Sequence, residues 1–509
     1  MIGRIAARRV RMEAHRRREL SFACLILVWL AFVAGLPASA SSISPRSALP
    51  VSAQGQLRPG EVTENVVSLS NPSQSYAVYL PSGYGADRVC PVLFAMDPRG
   101  RATIPIDLFR QAAERHGYII ISSYNTASDT DSDPNTPAMR AMLADTPQLF
   151  SADERRIYLA GFSGTARIGW HFSTQLGDHA AGLIGFGGGL PPRFTPPDPM
   201  TFVFFGSAGR TDFNYEEMLA LDADLAKRNV VHRFVSFDGA HEWGSAETCA
   251  LALDWMENQA MKSGRRETDL GLVDELYEDR MATAAELEEA GDLLGAFRLY
   301  GAVAEDFAGL REISAVVEKA NALGSTDAAR DGIELEKKLK DRSDSHFRTL
   351  SRLLQQIQAA EELPRLDVAL RDLRIDTLKR EAAGSSSRLE ADAAQRLLEK
   401  VFVNAAFYGP RDLLRAGEPY RALLLLGVAD AIKEGDFNVL VNFARAYALA
   451  GDEKKAIEAL QRADEVVTLQ AAWLEQDPYF QALSDEPEFQ ALLWRQRPAQ
   501  PQLSQSATR

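Results

Sequence analysis

The chain has 509 residues, more than one hydrophobic core normally holds, so two or three domains are expected. Its 46% hydrophobic and 25% charged residues exclude wholesale disorder and a protein of many membrane spans. A formal net charge of −14 argues against nucleic acid and anionic lipid as partners, because an acidic surface repels both.

Seven arginines between Arg4 and Arg18 precede an apolar run over residues 20–36, and Pro37-Ala38-Ser39-Ala40 then supplies the small-residue pattern of a signal-peptidase site. Residues 1–40 are therefore expected to be a cleaved secretory signal. The mature protein would be exported, periplasmic or extracellular, and would meet a membrane only through an uncleaved signal. Cleavage removes seven arginines and two glutamates, a net +5, which takes −14 to −19. Residues 41–62, rich in Ser, Pro and Gly, read as a flexible lead-in. Of the three cysteines, Cys90 and Cys249 remain; two buried free thiols are expected rather than a disulfide framework.

From residue 63 to residue 262, apolar runs of strand length alternate with helical stretches. The runs cover residues 75–80, 91–96, 118–122, 156–160, 181–186, 201–205 and 233–237. Helical patterns lie between them, as at 106–116, 138–150, 166–176, 215–227 and 246–261. This alternation specifies an α/β domain with a mostly parallel sheet covered on both faces, and ligands then sit at the C-terminal strand ends. The stretch "RIYLAGFSGTAR" (156–167) ends a buried strand at Ser163 and turns at once into a helix. That is the setting of the G-x-S-x-G nucleophile elbow, with Thr165 in place of the last glycine. A β-branched side chain there is expected to crowd the helix against the strand, so Thr165→Gly would keep or raise activity.

A serine nucleophile needs a base, and the chain has only seven histidines. His15 leaves with the signal, His116 precedes the serine, His171 and His179 lie within or just past the helix that follows it, His232 begins a strand, and His346 lies in the helical region. His241, in "FDGAHEW", alone sits just past the C-terminal end of a strand. The acid is sought in "GSAGRTDFNYEEM", after the run at 201–205. Asn214 and Glu217 have capping-box spacing and Glu216 falls in the first turn of the next helix, which leaves Asp212 to orient His241. Asp238, in the histidine's own loop, is its competitor. The oxyanion would take backbone N–H groups from Gly164 and from the "DPRGRA" loop, where Pro98 cannot donate and Arg99 can. Asp129, Asp131 and Asp133 imitate the opening of a calcium loop, but Pro134 stands where the turn glycine belongs and Arg140 where the terminal glutamate belongs, so no metal is expected. Only residues 187–200 separate two strands beside the site, too few for a large lid.

With "LAGFSGTAR", "TDFNY" and "FDGAHEW" in this order, residues 75–262 resemble a bacterial α/β-hydrolase of the esterase type, near the dienelactone hydrolases. The resemblance implies cleavage of carboxylic esters through an acyl-serine, with Ser163, Asp212 and His241 as triad and no cofactor. An open site suits short acyl esters or exposed ester or amide groups.

Residues 267–495 read as helices throughout, and 496–509 as a disordered tail. Ala422, Leu426 and Ala429 recur 34 residues later as Ala456, Leu460 and Ala463, with a turn at Gly451-Asp452. An earlier turn, Gly291-Asp292, carries Ala296, Tyr300 and Val303 at matching offsets. This helix–turn–helix pattern resembles the tetratricopeptide repeat, which implies a surface for a protein partner or a polymeric substrate. Two other readings stay open: a catalytically silent hydrolase fold serving as a protein-binding adaptor, and a serine peptidase using the same triad.

Overall fold

The computed structural model describes residues 57–495 apart from Ala86, Ala360 and Ser386. The expected signal, most of the lead-in and the expected tail lie outside the described residues. The chain divides into two compact units, one ending at Glu334 and the other starting at Leu335.

The first unit is built on eight strands: β1 (Val62–Val67), β2 (Ser75–Tyr79), β3 (Cys90–Met96), β4 (Ile119–Ser123), β5 (Ala152–Phe162), β6 (Ala180–Phe186), β7 (Val203–Gly209) and β8 (His232–Phe237). They lie in the order β1-β2-β4-β3-β5-β6-β7-β8, with β2 antiparallel to both neighbours and all strands from β3 onward parallel. This is a mostly parallel sheet, as expected. All seven apolar runs are strands, and the exposed edge strand β1 is an addition.

Buried side chains alternate between two cores, as strands covered on both faces require. Val92, Phe94, Ile157 and Leu159 face one core, closed by α2 (Asn135–Leu149), α3 (Gly164–Leu176) and α4 (Tyr215–Lys227) through Met139, Trp170 and Met218. Leu93, Ala95, Tyr158 and Ala160 face the other, closed by α1 (Thr103–His116) and α5 (Ala246–Lys262) through Phe109, Leu253 and Met256. Cys90 belongs to the first core and Cys249 to the second; both are free, and burial pushes both thiols above their ordinary pKa, which makes them inert.

Helices α6 (Leu270–Glu289), α7 (Leu293–Phe307) and α8 (Ser314–Gly324) belong to this unit, so the seam expected at 262–267 falls inside it. They share a core with Met261 of α5. Asp306 of α7 accepts from Arg233 Nη2 of β8 at 2.6 Å and from Trp255 Nε1 of α5 at 2.8 Å. Lys262 Nζ donates to Glu305 O at 2.9 Å. A 33-residue helix, α9 (Asp327–Ala359), runs across the division between the units.

The second unit is helical, from α10 (Leu366–Asp372) to α18 (Pro487–Arg495). Ala422, Leu426 and Ala429 of α14 (Pro419–Ile432) are buried, as are Ala456, Leu460 and Ala463 of α16 (Glu453–Val466). The chain turns into α16 at Gly451, where φ is +78°, and Asp452 caps the helix by accepting from Lys455 N at 3.2 Å. In the first unit Gly291 (φ +79°) and Asp292, which accepts from Gly295 N at 2.9 Å, repeat this local device before α7. Among the described residues no helix is long and apolar enough to cross a membrane.

Candidate active site

Strand β5 ends at Phe162 and α3 begins at Gly164, so Ser163 alone makes the turn, with φ 54° and ψ −123°. An L-residue in this region costs about 1–3 kcal/mol and persists only where its surroundings fix it. Here the serine N–H donates to Phe186 O of β6 at 2.8 Å. A Cβ on Gly161 would lie 2.6 Å from Ala166 N, and one on Gly188 only 2.2 Å from Ser163 O. The elbow therefore needs glycine beneath it on two sides.

Thr165 is not the intrusion expected. It is fully buried, and its hydroxyl lies 2.5 Å from Met96 O and 2.8 Å from Phe162 O while accepting from Phe162 N at 3.2 Å. Having one proton, the hydroxyl donates to one of those carbonyls at a time. The side chain thus fastens the start of α3 to the ends of β3 and β5. The sequence shows the bulk of a threonine here but not the carbonyls within reach of its hydroxyl.

His241 follows β8 and meets Ser163 directly, with Nε2 2.9 Å from Oγ. Its Nδ1 lies 2.9 Å and 3.0 Å from the two carboxylate oxygens of Asp212, which follows β7 and is fully buried. An ionised carboxylate only accepts, so Nδ1 carries the hydrogen and Nε2 is left to accept the serine proton. The imidazole, whose side chain is 20% exposed, stands against the rings of Phe162 and Phe213, with centroids 4.7 and 4.1 Å away. Asn214 N donates to Asp212 Oδ1 at 2.7 Å and fixes the carboxylate. The three residues reached by elimination are thus hydrogen-bonded in one line.

Asn214 and Glu217 form no capping box, for Asn214 makes no side-chain cap. Its Nδ2 instead donates to Gly187 O at 2.9 Å, while Glu217 accepts from Arg167 Nη2 at 2.8 Å and from Gly189 N at 3.1 Å. Both residues brace the triglycine loop 187–189 under the triad, where a Cβ on Gly187 would lie 2.7 Å from Asp212 Oδ2. Asp238, the competing acid, pairs with Arg210 at 3.0 Å. His116 bonds Asp254 at 2.6 Å, His232 bonds Val230 O at 2.7 Å and His346 bonds Leu373 O at 2.9 Å, each away from Ser163.

Gly164 opens α3, where the first amides of a helix have no partner within it. The other expected oxyanion donor is engaged elsewhere: Arg99 N–H donates to Asp97 Oδ1 at 2.8 Å. Asp97, at the head of the loop, is the loop's buried hub. It also accepts from Arg101 Nε at 3.0 Å, from Arg101 Nη2 at 2.8 Å and from Trp243 Nε1 at 3.0 Å, which ties this loop to the histidine loop. Burial alone would push the Asp97 carboxyl up, but the hydrogen bonds from Arg101, Trp243 and the Arg99 and Arg101 amides outweigh it and hold the group below the ordinary carboxylate range. Asp133, part of the rejected calcium pattern, accepts from Thr136 N at 3.1 Å at the start of α2.

No family model and no curated protein sequence matches the chain. Among solved structures it is similar to a substrate-bound fluorophosphonate-binding serine hydrolase of Staphylococcus aureus, at 17% identity over 39% of this chain and 98% of that one, with a TM-score of 0.33. It is also similar to the S-formylglutathione hydrolase of Staphylococcus aureus, at 16% identity over 39% and 98%, TM-score 0.32. A ferulic acid esterase gives 14% identity over 39% and 98%, TM-score 0.32.

Proposed function

We propose that the protein is a serine hydrolase that cleaves carboxylic esters through an acyl-serine. The observation that carries this reading is the unbroken line Ser163 Oγ–His241 Nε2, His241 Nδ1–Asp212, built at three separate strand ends on a strained serine. A helix or loop that needed only a serine would have no use for that backbone conformation. Ser163 attacks the acyl carbon while His241 takes its proton, and Asp212 holds the imidazole and offsets its positive charge. The oxyanion forms against Gly164 N–H, and collapse expels the alcohol with the proton from His241. Water then repeats the sequence on the acyl-serine and frees the acid. No step calls for a cofactor or metal.

Short acyl esters, or ester and amide groups exposed on a larger molecule, are the substrates we infer, because the 187–200 segment is too short to cover the site with a lid. The helical unit we read as a tetratricopeptide-type array that docks a protein or polymeric partner; the buried Ala/Leu positions 34 residues apart and the Gly451-Asp452 turn support it. The basic–apolar–small pattern of residues 1–40 supports export to the periplasm or beyond. The test is turnover of p-nitrophenyl acetate and butyrate by the wild type, Ser163→Ala and His241→Ala. Triad losses cost on the order of 10⁴- to 10⁶-fold in rate. A Ser163→Ala variant that keeps wild-type turnover would sink the proposal.

A further inference from the structure

The oxyanion site beside Ser163 has its second donor in an unexpected place. In the loop after β3, Arg99 N–H and Arg101 N–H donate to Asp97 Oδ1 at 2.8 and 3.3 Å, Gly100 N–H donates to Asp97 O at 3.1 Å, and Pro98 has no N–H. Freeing Arg99 would require Asp97 to turn, yet its carboxylate is fully buried between the Arg101 guanidinium and the Trp243 indole. The amide that the elbow pattern leads one to expect is therefore engaged within its own loop.

The loop after β4 lies against Gly164 instead. A methyl group built on Gly164 would fall 2.3 Å from Ser128 Cβ and 3.0 Å from Ser128 Oγ, so the hydroxyl stands next to the residue whose N–H receives the oxyanion. The placement is rigid. Ser128 N–H donates to Pro98 O at 3.0 Å, and the Asn135 side chain holds the neighbouring Ala127 on both sides, accepting from its N–H at 3.1 Å and donating to its carbonyl at 2.7 Å. At the other end of the contact, a Cβ on Gly100 would strike Tyr124 O at 2.3 Å, so the two loops are pressed together. The Ser128 hydroxyl donates to Asp129 Oδ2 at 3.0 Å, a solvent-exposed partner on a residue with φ +57°. Rotation about one bond moves that proton off Asp129, which water can then satisfy.

We propose that Ser128 Oγ–H is the second oxyanion donor, acting beside Gly164 N–H, a role that rests on the serine-hydrolase reading above. When the acyl carbon becomes tetrahedral, the negative oxygen draws the Ser128 proton from Asp129, and the hydroxyl returns to Asp129 when the carbonyl re-forms. No bond to Ser128 is made or broken.

Wild type, Ser128→Ala and Ser128→Cys are compared by ester kinetics, thermal midpoint and inhibition by a short alkyl boronic acid, which becomes tetrahedral on the serine. Loss of one oxyanion donor lowers kcat on the order of 10²- to 10³-fold. Ser128→Ala should show that loss with KM within about threefold and an unchanged midpoint, and boronate affinity should fall in proportion to kcat, as an interaction made only in the transition state requires. Ser128→Cys, with its weaker donor, should fall between the two. If the wild type turns over esters and Ser128→Ala keeps kcat within about threefold, the Ser128 role is wrong and the triad reading survives. If Ser128→Ala loses stability, a Ser128→Cys variant as active as the wild type overturns the role by itself. A wild type that neither hydrolyses esters nor binds the boronate removes the hydrolase reading itself.

Discussion

Replacing Thr165 by valine keeps the volume and removes the hydroxyl, which isolates the contribution of its hydrogen bonds. The hydroxyl is fully buried and lies 2.5 Å from Met96 O and 2.8 Å from Phe162 O. Valine leaves one of those carbonyls without that donor, and leaves Phe162 N–H without the oxygen at 3.2 Å. An unsatisfied buried polar group costs about 1–3 kcal/mol. At roughly 2–4 °C per kcal/mol for a domain of this size, the thermal midpoint should drop by about 2–12 °C. Serine keeps the hydroxyl and loses one methyl, a cost of about 1 kcal/mol. Glycine loses both and adds a helix-propensity cost of up to about 1 kcal/mol, so the order of loss is serine, valine, glycine. Because Met96 ends β3 and Phe162 precedes the nucleophile, kcat/KM should fall at least tenfold for Thr165→Val and Thr165→Gly, and stay within threefold for Thr165→Ser. Differential scanning fluorimetry and initial rates on p-nitrophenyl acetate read both effects. A Thr165→Val protein with wild-type midpoint and rate, or a Thr165→Gly protein that is faster than wild type, would refute the reasoning.

Gly188→Ala places a methyl group 2.2 Å from Ser163 O, a backbone atom that cannot step aside, and should lower kcat/KM on the order of 10²-fold or more. Asp212→Asn should cost on the order of 10⁴-fold in kcat, while Asp238→Asn, which weakens a partly exposed pair with Arg210, stays within about twofold; the reverse order would reassign the acid. Ending the chain at residue 265 removes α6 to α8, and with them Asp306, the partner of Arg233 and Trp255, and the apolar cover of Met261. Residues 57–265 should therefore be insoluble and residues 57–334 soluble and active, as soluble yield and circular dichroism will tell; a folded, active 57–265 fragment would contradict the role given to α7.

Much of the sheet was legible because its strands are continuous apolar runs bounded by turn residues, and a parallel sheet buried on both faces demands such runs. β1 escaped because it is an edge: its sequence VTENVV alternates poorly, and Asn65 stands at φ 55° in an irregular register with β2. The triad was legible from chain order and strand ends, since only one histidine follows a strand terminus on the correct side. What stayed hidden were contacts between segments far apart in sequence. Nothing local to Asp97 announces Trp243, 146 residues away, as its partner. Asn214 and Glu217 carry a local capping signal, yet tertiary partners, Gly187 and Arg167, outcompete it. Strand–helix alternation stops at 262–267, whereas the buried pairing of Asp306 with Arg233 and Trp255 carries the unit three helices further.

The claim on which the rest depends is that Ser163 is a nucleophile activated by His241. Intact-mass and peptide mass spectrometry after treatment with an alkyl fluorophosphonate tests it most directly. The account predicts a single adduct on the wild type, located on the peptide that contains Ser163, none on Ser163→Ala, and labelling slowed on the order of 10³-fold or more in His241→Ala. A folded wild-type protein that takes no adduct, or a Ser163→Ala protein labelled as fast as the wild type, would contradict it.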